Sequence, residues 1–180
     1  MKKICIYGAS SNHIDDVYVK AAFQTGKLIV TKGYGLVCGG GRGGLMAAAI
    51  EGALSAGGHT TGVLPAFMIE KGWHHPGLSE TIVTDDMHSR KLTMATRSQA
   101  VIALPGGVGT LEELMEIITW RQLKLYSGRV VILNTEGYYD PLLEMFRMMK
   151  DKGFMREGSG SLWITASEPE EAIDYAISIK

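Results

Sequence analysis

Two short segments carry the side chains best suited to chemistry. Met87-His88-Ser89-Arg90-Lys91 sets two cations near the start of a predicted helix, and Thr110-Leu111-Glu112-Glu113 sets two carboxylates at the start of another. Basic charge in a first helical turn opposes the macrodipole, so Arg90 and Lys91 call for a compensating anion. Asp85 and Asp86 just upstream offer one answer as solvated partners. An anionic ligand offers the other. Thr110, with Glu113 three residues later, has the spacing of a capping box. The same acids follow directly on Pro105-Gly106-Gly107-Val108-Gly109, a loop suited to holding a phosphate. A carboxylate beside a sugar phosphate can stabilise an oxocarbenium-like transition state or activate water, as paired acids do in glycosidases.

Residues so far apart in sequence need a fold that gathers them. Short apolar runs at Ile4 to Tyr7, Leu36 to Cys38, Thr60 to Leu64, Ile82 to Thr84, Ala100 to Leu104, Val130 to Leu133 and Leu162 to Ile164 predict strands. Helical periods are predicted between them, over about 15–32, 45–56, 87–97, 110–123, 139–152 and 169–179. Strands that are continuously apolar, alternating with helices, imply a parallel sheet covered on both faces. The expectation is one Rossmann-like, doubly wound α/β domain over residues 1–180. The stretch from Pro65 to Ser79, with Trp73, His74, His75 and Pro76, is long for a strand-to-helix connection and is expected to cover a ligand.

Glycine accounts for 23 of 180 residues, well above a usual level of about 7%. Gly8 follows the first strand, Gly39-Gly40-Gly41-Arg42-Gly43-Gly44 the second, and Gly106, Gly107 and Gly109 follow Leu104. In a parallel sheet all three clusters fall at the carboxyl edge, where ligands bind. Any one cluster reads as a tight turn and helix cap. Two rich clusters at one edge favour a phosphate monoester or nucleotide. Neither fits a dinucleotide fingerprint or a P-loop, since the ribose-binding acid and the P-loop lysine are missing. Ser10-Ser11-Asn12 reads as a cap for the first helix ahead of a nucleotide contact.

Other classes are excluded or disfavoured. A net charge of −1 gives no electrostatic footprint for nucleic acid or an anionic membrane. Cys5 and Cys38 are too few for a disulfide framework and read as reduced, buried thiols. His74 and His75 lack a ligand pattern, so no metal is expected. The first apolar run, Ile4 to Tyr7, is too short for a signal-peptide core, and no run approaches the ~18 residues of a membrane span. The expected location is the cytoplasm.

Three motifs in order resemble one family. Pro105 to Glu113 matches PGGxGTxxE, Gly39 to Met46 matches GGGxxGLM, and Met87 to Lys91 matches MHxRK. With Gly8-Ala9-Ser10-Ser11, the chain resembles the Lonely Guy (LOG) proteins, long mislabelled as lysine decarboxylases. That resemblance implies a phosphoribohydrolase: water cleaves the N-glycosidic bond of a cytokinin riboside 5′-monophosphate or AMP, giving base and ribose 5-phosphate without a cofactor. It carries the catalytic pair onto Arg90 and Glu113, and the phosphate loop onto Gly106, Gly107, Gly109 and Thr110, with Val108 and Leu111 inside the motif. Lys91, Glu112, Glu70, Thr119, Gly41 and Gly43 are implied substrate contacts. It further implies a homodimer, for which the helix bearing Leu114, Met115, Ile118 and Trp120 could supply the surface. Two rivals stand beside it. A non-catalytic nucleotide or molybdenum-cofactor carrier has no need of both Arg90 and Glu113. A pyridoxal decarboxylase needs a Schiff-base lysine with a pyridinium partner, and no such pair is identifiable.

Overall fold

The computed structural model describes residues 1–155, 158 and 161–178. Strands and helices alternate along them: β1 Lys3–Tyr7, α1 Asp16–Thr31, β2 Gly35–Cys38, α2 Gly44–Ser55, β3 Thr60–Pro65, α3 Ala66–Glu70 and β4 Glu80–Thr84. There follow α4 Met87–Thr96, β5 Ala100–Ala103, α5 Val108–Gln122, β6 Arg129–Leu133, α6 Asp140–Asp151, β7 Ile164–Ala166 and α7 Pro169–Ile177. The strands form one parallel sheet in the order β4-β3-β2-β1-β5-β6-β7.

Continuously apolar strands arise because both sheet faces are covered. Ile4, Ile6, Leu36, Cys38, Ile102 and Leu133 pack on one face with residues of α1, α2 and α7. Their neighbours Cys5, Tyr7, Val37, Val101, Ala103 and Ile132 pack on the other with residues of α4, α5 and α6. Each fully buried Ile or Leu contributes about 1.5–3 kcal/mol. Edge strand β4 alone alternates, leaving Val83 57% exposed.

Some glycine serves the scaffold instead of the ligand. A Cβ on Gly26 would lie 1.9 Å from the Ala49 carbonyl oxygen, and one on Gly52 would lie 1.9 Å from that of Phe23. These two residues let α1 and α2 cross in backbone contact.

The expected architecture holds, with local differences. The 65–79 stretch contains the single-turn helix α3. Strand β7 starts at Ile164, because that residue pairs with Val131, while Leu162 only packs into the core ahead of it. Helix α7 is described to Ile177, and the predicted end at Ile179 lies outside the described residues.

β1 pairs with β2 on one side and β5 on the other. Chain winding reverses at that junction, and loops leaving the two central strands diverge there to open a crevice.

Candidate active site

A cleft of about 730 Å³ lies over the carboxyl ends of β1, β2 and β5. Gly8 to Asn12 form one wall, and Gly39, Gly41, Arg42 and Gly43 another. Gly107, Val108, Gly109 and Thr110 enter from the start of α5, with Glu112 and Glu113 beyond them and Arg90 from α4. Met46, Met68, Trp73 and Met87 supply the apolar part.

Arg90 is the best-tied side chain in the cleft. Its Nη1 donates to Glu113 Oε1 at 2.8 Å and its Nε donates to the Val63 carbonyl at 3.0 Å. Both partners are largely removed from solvent, with side-chain exposures of 6% for Arg90 and 12% for Glu113. Burial pushes the Glu113 carboxyl above its ordinary range, and the Arg90 guanidinium pulls it back only in part. The room for Arg90 comes from Gly39, where a Cβ would sit 1.9 Å from Arg90 Nη2. Lys91 forms a second buried cation, with its Nζ bonded to Glu112 Oε1 and, at 3.2 Å, to Glu116 Oε1. The cations near the start of α4 are thus answered by carboxylates of α5, and upstream Asp86 takes another role. Asp86 caps α4, accepting from Ser89 N at 2.7 Å while Ser89 Oγ accepts from Asp86 N at 3.2 Å.

The capping box expected at Thr110 and Glu113 does not form. Helix α5 begins at Val108 with Gly107 as its cap, which makes Thr110 a buried third helical residue and sends Glu113 inward to Arg90. The first N–H groups of a helix have no intrahelical partner, so 107–110 present donors and a partial positive charge to the cleft. Nor do Ser10, Ser11 and Asn12 cap α1, which starts only at Asp16 behind Asp15. They line the cleft, and Asn12 Oδ1 accepts from Gly44 N at 3.0 Å, tying the first glycine loop to the second.

Other predicted contacts are distributed less evenly. Gly41 and Gly43 line the cleft as expected. Gly106 lies just behind it, in a recess of about 350 Å³ shared with Gly107 and Tyr138. Leu111 packs against the core under α5, and Lys91 meets the cleft only through Glu112. Glu70 sits exposed on α3, and Thr119 lies exposed on α5 with its hydroxyl bonded to the Met115 carbonyl; neither borders the cleft. A helical step of six residues from Glu113 turns Thr119 away from the face that Glu113 uses. Leu114 and Ile118 are core residues and cannot supply an association surface.

Gly39 belongs to the glycine cluster that the sequence placed at the ligand edge, and Met46 and Met87 to its motifs, but none of the three was assigned a contact, and Met68 was not singled out by sequence reasoning. The irregular stretch that holds Trp73 was, and it does bend over the glycine loop: Arg42 N donates to the Trp73 carbonyl at 3.0 Å and His75 N to the Gly40 carbonyl at 2.8 Å. Cys5 and Cys38 are free and buried, and burial raises both thiols, Cys38 to about 12, so neither is a nucleophile. Among the described residues, no group of three or more His, Cys, Asp or Glu is placed to hold a metal ion.

A rice protein (Oryza sativa subsp. japonica) named a probable cytokinin riboside 5′-monophosphate phosphoribohydrolase is 38% identical over 173 residues, covering 96% of this chain and 71% of that one. An Arabidopsis thaliana cytokinin riboside 5′-monophosphate phosphoribohydrolase is 37% identical over 172 residues, 96% of this chain and 75% of its own. Among solved structures, a molybdenum cofactor binding protein from Rippkaea orientalis superposes with a TM-score of 0.74 at 26% identity, covering 97% of this chain and 94% of its own. The molybdenum cofactor carrier protein of Chlamydomonas reinhardtii gives 0.72 at 28% identity, covering 96% and 94%. A family described as "possible lysine decarboxylase" matches residues 46–176. On that match, and on relatives similar over almost its whole length, the chain belongs to the LOG family.

Proposed function

We propose that the protein is a hydrolase of nucleoside 5′-monophosphates, cleaving the N-glycosidic bond to release the free base and ribose 5-phosphate. One observation carries this reading: the buried Arg90–Glu113 pair and the unpaired N–H groups that open α5 face the same cleft. The 107–110 segment binds the 5′-phosphate, which fixes the ribose and lowers the entropic part of the barrier. Glu113, oriented by Arg90, stabilises positive charge developing at the anomeric carbon and guides the attacking water. Water oxygen bonds to that carbon as the carbon–nitrogen bond breaks, and the base leaves carrying the water's proton. Met46, Met68, Trp73 and Met87 offer the base an apolar wall.

Both AMP and N6-prenylated AMP fit this scheme, and AMP nucleosidase activity belongs to the proposal. The assay is incubation with AMP, isopentenyladenosine monophosphate and adenosine, followed by chromatography of released base. Release from either nucleotide and not from adenosine is the expected result. Turnover of adenosine as fast as AMP contradicts the phosphate loop.

Likeness to molybdenum-cofactor carriers favours a second reading, a binding protein without catalysis. A carrier gains nothing from a carboxylate held unfavourably in a buried site, and Glu113 is held that way. Decarboxylation through a Schiff base fits less well, since Lys91, whose partner Glu112 lines the cleft, holds its Nζ between two carboxylates. Our reading extends to a homodimer. A depression of about 740 Å³ between α4 and the end of α5 is lined by Leu92, Trp120, Leu125 and Tyr126, with no charged side chain among its lining residues. Leu92, Leu123 and Leu125 are 52%, 60% and 72% exposed. Among the described residues, no helix is long and apolar enough to cross a membrane. Two free thiols suit the cytoplasmic location expected above.

A further inference from the structure

The turn joining β6 to α6 reaches the phosphate loop from the recess behind the cleft. Glu136 and Gly137 are consecutive left-handed residues, with φ of 53° and 68°. A non-glycine residue in that region is strained and persists only where its surroundings over-determine it. Asn134 does so here. Its Oδ1 accepts from Tyr139 N at 2.6 Å and its Nδ2 donates to Asp140 Oδ1 at 2.7 Å. The sharp turn aims two successive tyrosines at one target. Tyr139 Oη donates to the Leu104 carbonyl at 2.7 Å, and Tyr138 Oη donates to the Gly106 carbonyl at 2.8 Å. The Tyr138 ring stands edge-on to Tyr18 at 5.9 Å and to Tyr139 at 5.0 Å, which holds its hydroxyl in place.

Two further bonds complete the pattern: the Pro105 carbonyl accepts from Ala9 N at 3.2 Å and the Gly107 carbonyl accepts from Leu111 N at 3.0 Å. Every carbonyl from Leu104 to Gly107 is therefore engaged. That matters because a carbonyl swung into the cleft would set partial negative charge against a phosphate. The Gly106–Gly107 peptide is the one most free to swing, since neither flanking residue carries a side chain. In a trans peptide the N–H points opposite to the C=O. A hydroxyl that fixes the Gly106 carbonyl therefore also fixes the direction of the Gly107 N–H, at the cap of α5.

We propose that Tyr138 is a positioning residue for phosphate binding, locking the Gly106–Gly107 peptide with its N–H turned to the ligand, while Tyr139 anchors the base of the same loop. The proposal rests on the reading that the 107–110 segment holds a phosphate. Tyr138→Phe removes the hydroxyl and keeps the ring against Tyr18 and Tyr139. From the net worth of one hydrogen bond, the Kd for ribose 5-phosphate and the KM for AMP should rise about 3- to 10-fold. The kcat should stay within about twofold, the signature of lost uniform binding. The melting temperature should fall by only about 2–4 °C, the cost of that one bond, and adenosine affinity should be unchanged; a loss confined to phosphate-bearing ligands is a split that a merely structural role would not produce. Ribose 5-phosphate titrated calorimetrically into both proteins decides the lock without turnover, so a wild type that binds it but releases no base condemns the hydrolase reading alone. Equal Kd and KM in both proteins, an equal loss toward adenosine and AMP, or no ribose 5-phosphate binding by the wild type overturns the lock.

Discussion

Burial and Arg90 act on Glu113 in opposite directions, and burial prevails. In the proposed reaction the carboxylate is the form that stabilises developing positive charge, so Glu113 must lose its proton. The acid limb of kcat/KM should therefore lie above the ordinary glutamate value of about 4.3. Arg90→Met removes the influence that lowers the pKa, so the Glu113 titration must move further up. A 13C NMR titration of the Glu113 carboxyl in both proteins checks the sign, and a downward shift in the variant would refute it. Arg90 and Glu113 could be picked out because a cation near a helix start opposes the macrodipole and because two acids follow directly on a glycine-rich loop suited to phosphate. Their mutual contact was not legible. Thr110 shows why: T-x-x-E has the capping-box spacing, but the true cap is Gly107 and the helix starts two residues earlier. A local signature cannot reveal that Glu113 has a stronger partner on another helix. Glu70 and Thr119 were placed in the site by resemblance, and within this chain they face solvent outside the cleft.

At the scale of elements, α4 and α5 are useful because each carries adjacent charged residues that face the other. Arg90 and Lys91 on one helix meet Glu113, Glu112 and Glu116 on the other. Strand positions were readable since a continuously apolar run has one good home, a central parallel strand covered on both faces. Connections were harder. The contact from Tyr138 to Gly106 spans 32 residues and leaves no periodic trace in the sequence. The glycine surplus was misleading in part, for Gly26 and Gly52 serve the α1–α2 crossing. Gly52→Val should drive those helices apart and destabilise the fold by about 1–3 kcal/mol or more, the usual effect of overpacking. Thermal melting checks it, and an unchanged midpoint would show that the crossing is looser than described.

For the whole molecule, the reversal of winding between β1 and β5 gathers two glycine loops and the buried ion pair in one crevice. Among the described residues, three leucines near α4 and the end of α5, Leu92, Leu123 and Leu125, stay exposed. Large exposed apolar patches mark association surfaces. Leu125→Glu should convert a dimer to a monomer in light scattering coupled to size exclusion, and a wild type that already runs as a monomer would remove the homodimer from the account. Within the crevice, the proposed hydrolysis turns on Glu113, held by Arg90 beside the glycine loop that opens α5. Its most direct test is base release from AMP and isopentenyladenosine monophosphate by the wild type and by Glu113→Gln, with melting temperature and ribose 5-phosphate affinity measured on both. Glu113→Gln should lower kcat about 10²- to 10³-fold, the range for losing one preorganised electrostatic group, with folding and phosphate binding retained. Undiminished base release by a folded Glu113→Gln protein would contradict it.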